Sequence, residues 1–95
     1  MTPSRRLSQF RRAVAAARAT ELHLDRTAGT GRNADASWRR FDDAVAQARA
    51  LLAAAARDEA DSLPEYLDST PGRRLAETFN HLERRYAGLT LDRLT

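Results

Sequence analysis

The stretch FRRAVAAARA at residues 10–19 returns thirty-one residues later as FDDAVAQARA at 41–50, with two arginines exchanged for two aspartates. At that offset, seven of the eleven positions from Phe10 to Thr20 match Phe41 to Leu51. The bulky residues correspond as well: Leu7 to Trp38, Phe10 to Phe41, Val14 to Val45. Around the first copy the apolar residues Leu7, Phe10, Val14, Ala17 and Leu24 follow a period of 3.5, which winds onto one stripe of a helix. Around the second, Trp38, Phe41, Val45, Ala48, Leu52 and Ala55 do the same. Each stripe is bulky in its first half and alanine-rich in its second. Joined by the short breaker TAGTGRN at 27–33, two such helices pack antiparallel, so that large side chains of one fill the space left by small ones of the other. A true duplication and a recurrence within an alanine-rich chain have the same packing consequence.

The first helix is expected over about 3–27, opened by Thr2 as cap with Pro3 at the first helical position. The second is expected over about 34–62, capped by Asn33, Asp35 or Ser37. Ser62 and Glu65 have capping-box spacing and suit a short helical turn. Thr70 and Pro71 then repeat the opening of the chain and start a third helix over about 71–87, with Leu75, Phe79, Leu82 and Tyr86 inward and Gly88 as its stop. Leu89, Leu91 and Leu94 make an apolar tail (89–95) that docks on the bundle or on another subunit. Nothing alternates with period two, so no strand is expected. The expected class is all-α: one domain over 1–95, an antiparallel hairpin of two long helices with a shorter third, resembling a three-helix bundle.

Nineteen residues are alanine, two are valine and none is isoleucine, so the core is thin for a 95-residue domain and self-association or a protein partner is the expected remedy. The absence of cysteine excludes disulfides, thiolate metal sites and cysteine nucleophiles, and makes the cytoplasm the expected compartment. The longest apolar run, ALLAAAA at 50–56, is too short to cross a bilayer. His23 and His81 have no histidine or cysteine companion at helical spacing, and GTGR at 29–32 lacks the phosphate-loop frame, so neither a metal nor a cofactor is expected.

Every basic residue is arginine, and the net charge of +3 is concentrated at the start, where residues 1–20 carry five arginines and no acid. In a heptad with Leu7 at position a, Arg5, Arg12 and Arg26 fall at f, Arg11 and Arg18 at e, and Arg6 at g, which makes one outward stripe. Such a stripe suits an acidic protein surface or, non-specifically, the phosphates of a nucleic acid. The pairs Arg11–Arg12 and Asp42–Asp43 lie at opposite ends of the hairpin, where they are two ordinary solvated faces or else meet across a twofold axis between two copies.

In RLAETFNH at 74–81, Arg74 and His81 are seven apart and share a helix face. The segment resembles the loose end of the Arg-x4-6-His spacing of HEPN-type ribonucleases. That resemblance implies a helical, dimeric enzyme with the pair at an interface, although this chain is shorter than that fold usually is. No other catalytic constellation is present. The expected function is therefore a non-enzymatic interaction or assembly module, self-associating or an accessory subunit, using Arg5, Arg6, Arg11, Arg12 and Arg18 for its partner and Leu89, Leu91 and Leu94 for apolar docking. Nucleic-acid binding through the same arginines is the alternative, and RNA cleavage by Arg74 and His81 a third.

Overall fold

The computed structural model describes residues 5–27, 31, 34–58 and 60–94, the last five of these by their backbone alone. The chain is all-helical: α1 (Arg5–Thr27), α2 (Ala34–Arg57), α3 (Leu63–Asp68) and α4 (Thr70–Leu94), with no strand among the described residues. Side-chain pairs fix the directions of the long helices. Glu21 meets His81 and Asp25 meets Arg85, so α1 and α4 run the same way. Phe41 meets Tyr86 and Arg49 meets Glu83, so α2 runs against them.

The buried core follows the two stripes. Leu7, Phe10, Ala13, Val14, Ala17 and Leu24 enter it from α1, and Phe41, Ala44, Val45, Ala48 and Ala55 from α2. Leu63, Phe79 and Leu82 complete it from α3 and α4, with Trp38, Leu52, Leu75 and Tyr86 partly buried against it. Phe10 and Phe41, which open the two copies of the repeated phrase, are both fully buried, and each takes one aromatic ring from α4. Phe10 lies 5.3 Å from Phe79 and Phe41 lies 5.6 Å from Tyr86, centroid to centroid, in the tilted and edge-on arrangements that aromatic quadrupoles favour.

Four helix ends or caps differ from the sequence expectation, each for a local reason. The second helix ends at Arg57 and not near Ser62, because the Asp58 carboxylate accepts a hydrogen bond from the Ala60 backbone N–H (3.1 Å), an Asx turn that competes with helix continuation. The short α3 is capped from Asp61, whose carboxylate accepts from the Leu63 N–H (2.9 Å), while Ser62 makes no side-chain cap bond. The last long helix is not the shorter one. It spans 25 residues and passes Gly88 without stopping, so the segment expected as a tail is the end of α4. The apolar spacing explains this: Leu75, Phe79, Leu82 and Tyr86 continue in phase to Leu89, which is half-buried on the same core.

The turn between α3 and α4 depends on Gly72. Ser69 separates the helices in an extended conformation, donates its hydroxyl to the Tyr66 carbonyl (2.5 Å), and accepts from the Gly72 N–H (3.2 Å). The cap of α4 is therefore Ser69, one residue before the expected Thr70. This geometry brings the Tyr66 carbonyl so close that a Cβ on Gly72 would lie 1.8 Å from its oxygen, whereas a Cβ on Gly88 would meet nothing within 4 Å.

Alanine substitution at the two glycines should therefore have opposite signs. Gly72→Ala forces the backbones of α3 and α4 apart and should cost about 1–3 kcal/mol. Gly88→Ala replaces a glycine in an exposed helical position and should stabilise by about 0.5–1 kcal/mol. Urea unfolding followed by circular dichroism measures both.

Candidate functional site at the seam of α1 and α4

Glu21 occupies the stripe position between Ala17 and Leu24, where an apolar residue belongs and where the repeat has Leu52. It is 1% exposed. Burying a carboxylate there is tolerable only with partners of opposite charge, and three converge on it. His81 Nε2 lies 2.9 Å from Oε2, the Arg85 Nε lies 3.4 Å from the same oxygen, and Arg18, one turn before Glu21 on α1, pairs with Oε1. Arg85 also pairs with Asp25. Its Nε is buried without a hydrogen-bond partner, so its contact with Glu21 is an ion pair only.

Around this buried anion the surface is open and cationic. A groove of about 310 Å³ is lined by Arg18, Arg74, Glu77, Thr78 and His81. A second, of about 300 Å³, is lined by His81, Arg84, Arg85, Gly88 and Leu89. The imidazole stands between the two with its side chain 48% exposed, held from below by Glu21. Arg74 and His81 thus line one groove, as their spacing on a single helix face suggests.

The arginines of the first helix divide into those used inside the chain and those left outside. Arg6 bonds Asp61 (2.7 Å) and Asp58 (3.1 Å), and these hydrogen bonds, Asp61 first, hold its pKa above the ordinary arginine value. Arg11 donates to the Tyr66 hydroxyl, its guanidinium 5.0 Å from that ring's centroid. Arg18 is committed to Glu21. Arg5 and Arg12 are exposed and make no ion pair among the described residues. In the apolar set, Leu89 packs partly on the core of its own chain, and the side chains of Leu91 and Leu94 lie outside the described residues.

A parallel case on the other side of α4 shows the same economy of charge. Arg49 of α2 donates from Nε to Glu83 (2.6 Å) and lies 5.1 Å from the centroid of the Tyr86 ring, and the Glu83 hydrogen bond raises its pKa. Among the described residues no group of three or more histidine, aspartate and glutamate side chains is arranged to hold a metal ion, and no helix is long and apolar enough to cross a membrane. Comparison with protein-family models, with curated proteins and with solved structures gives no match to this chain.

Glu21 is the residue that the apolar pattern passes over. The signal was present, because a lone acid in an otherwise apolar seven-residue register needs a buried partner. The partner's identity was not, since it lies sixty residues away on α4.

The three partners of Glu21 are roughly half-exposed and can turn to water when the carboxylate is removed. Glu21→Leu, which restores the residue type of the second repeat, should therefore be at least as stable as the native chain. Glu21→Gln keeps the shape and loses the charge-assisted bonds, and should cost about 1–2 kcal/mol. Equilibrium urea unfolding of the two variants, with Asp43→Asn as an exposed control that should not change stability measurably, checks the order.

Proposed function

We propose that the chain is a non-enzymatic helical interaction module that docks an acidic surface of a protein partner, another copy included, through the outer line of α1. The observation that carries this reading is the line Arg5, Arg12 and Arg26. These residues share heptad position f, are exposed, and have no ion pair or hydrogen-bond partner among the described residues. Seven residues rise about 10.5 Å along a helix, so Arg5 and Arg12 offer two charges at fixed spacing on a rigid rod. Between Arg12 and Arg26 the same face carries Ala15, Ala19 and Leu22, the last 45% exposed, which gives the charged line an apolar centre. An arginine rim around a small apolar patch is a common composition for a protein interface.

Non-specific nucleic-acid binding through the same helix is the second reading, and the internal bonds of Arg6, Arg11 and Arg18 reduce what it has to work with. Three outward arginines correspond to a dependence of log K on log salt of about −2 to −2.7, where five would give about −3.5 to −4.5. RNA cleavage by Arg74 and His81 is the third reading, and it has their common groove in its favour.

The test is a capture experiment from the native host, comparing the wild-type chain with Arg5→Glu combined with Arg12→Glu and Arg26→Glu. Because the three side chains make no ion pair or hydrogen bond among the described residues, helicity should be unchanged while the captured partner is lost. The same pair of proteins is titrated with a fluorescent random duplex. Salt-dependent binding with a slope near −2 to −2.7, abolished in the variant, would transfer the arginines to the nucleic-acid reading.

A further inference from the structure

The groove at His81 is a second feature, on the α1–α4 seam and not on the outer line of α1. Three properties set it apart from an ordinary charged surface. The first is preorganisation. Glu21 is fully buried, so its position is set by the core, and it fixes both Arg18 on one side and the imidazole of His81 on the other. Side chains held in place before a ligand arrives lose less entropy when it binds. The second is an unspent cation. Arg74 is exposed, lines the same groove, and has no ion pair among the described residues. The third is donor chemistry. With Nε2 engaged by Glu21, the Nδ1 of His81 has no partner among the described residues and carries a second N–H in the imidazolium form, and the ring lines a space of about 310 Å³ with two guanidinium groups.

We propose that this groove binds a small phosphate-bearing ligand, a phosphate monoester or free phosphate, through Arg74, unpaired among the described residues, with Arg18 and His81 contributing the N–H groups that their bonds to Glu21 leave over. Planar guanidinium groups match the geometry of phosphate oxygens and hold them by paired hydrogen bonds. The volume suits a phosphate group with a modest substituent and lies at the lower end of the range for small-molecule sites. The charged groups facing the space are Arg18 and Glu21 from α1 and Arg74, Glu77 and His81 from α4. Arg18 and His81 share their charge with Glu21, so Arg74 is the lining cation without an ion pair among the described residues, and Glu77 is the lining carboxylate that opposes an anion. Its removal should therefore tighten binding, a sign that non-specific attraction to exposed arginines elsewhere would not reproduce.

The experiment is a nuclear magnetic resonance titration of the full chain with inorganic phosphate and, separately, phenyl phosphate, against sodium chloride at matched ionic strength. The readouts are the two histidine side chains and the arginine Nε–Hε signals. His23 lies exposed on α1 away from the groove and serves as an internal reference. Saturable shifts at His81 and Arg74 with His23 unmoved support the site. Arg74→Ala should weaken binding about tenfold, the equivalent of one charge-assisted bond, and Glu77→Gln should strengthen it severalfold. Tighter binding of phenyl phosphate identifies a phosphate ester as the ligand, and equal or weaker binding identifies the free anion. Shifts that appear equally at His23 and His81, that follow ionic strength alone, or that persist unchanged in Arg74→Ala overturn the proposal.

Discussion

The fold depends on two phenylalanines receiving two rings from one helix. Phe10 and Phe41 have no exposed surface, and a pair of alanine-rich helices has little else with which to exclude water from their far sides. Phe79 and Tyr86, seven positions apart on α4 and therefore on one face, cover them. That single requirement sets the direction of α4, its register against both partners, and the length over which it must stay helical. It also accounts for the turn at Ser69 and Gly72, where α3 and α4 approach so closely that only a glycine fits, since α4 must start at the end of the bundle where α2 finishes.

Much of this was legible in the sequence because it is local. The apolar spacing of α1 and α2 identifies their inward faces, and the residues expected to point inward are buried or partly buried without exception. The ends were less legible. Gly88 is a frequent stop signal, yet a glycine ends a helix only when the chain benefits from a left-handed residue there, and the continuing stripe to Leu89 outweighs its cost of about 1 kcal/mol. Asp58 shows the converse: its short side chain captures a nearby N–H and ends α2 although alanines precede it, a competition that residue spacing does not display.

The seam site was legible only in part. The shared face of Arg74 and His81 follows from helical spacing alone. Their surroundings do not, because Glu21 and Arg18 reach them from a helix that precedes them by more than fifty residues, and only the packing directions bring α1 alongside α4. The same limit applies to the arginine stripe. Sequence order assigns all five early arginines to one surface, while tertiary contacts divide them into Arg6, Arg11 and Arg18, which bind within the chain, and Arg5 and Arg12, which make no such bond among the described residues.

The charges at the helix ends belong to the same argument. Arginine in the first turn of α1 is opposed by the helix dipole, and aspartate just beyond the last turn of α2 is opposed by the dipole of that helix. Each is unfavourable for its own helix. Antiparallel packing brings the two ends together, and Arg6 then bonds both Asp58 and Asp61. In a parallel arrangement the same residues would lie a helix length apart, with both unfavourable end charges unrelieved. The local cost becomes a preference for one packing direction over the other, in a core whose small side chains discriminate poorly between them. The aspartates of the second phrase do not mirror this role. Asp42 and Asp43 lie more than two turns inside α2, beyond the reach of its terminal dipole, and the acid in the first turn of that helix is Asp35, where the dipole favours it.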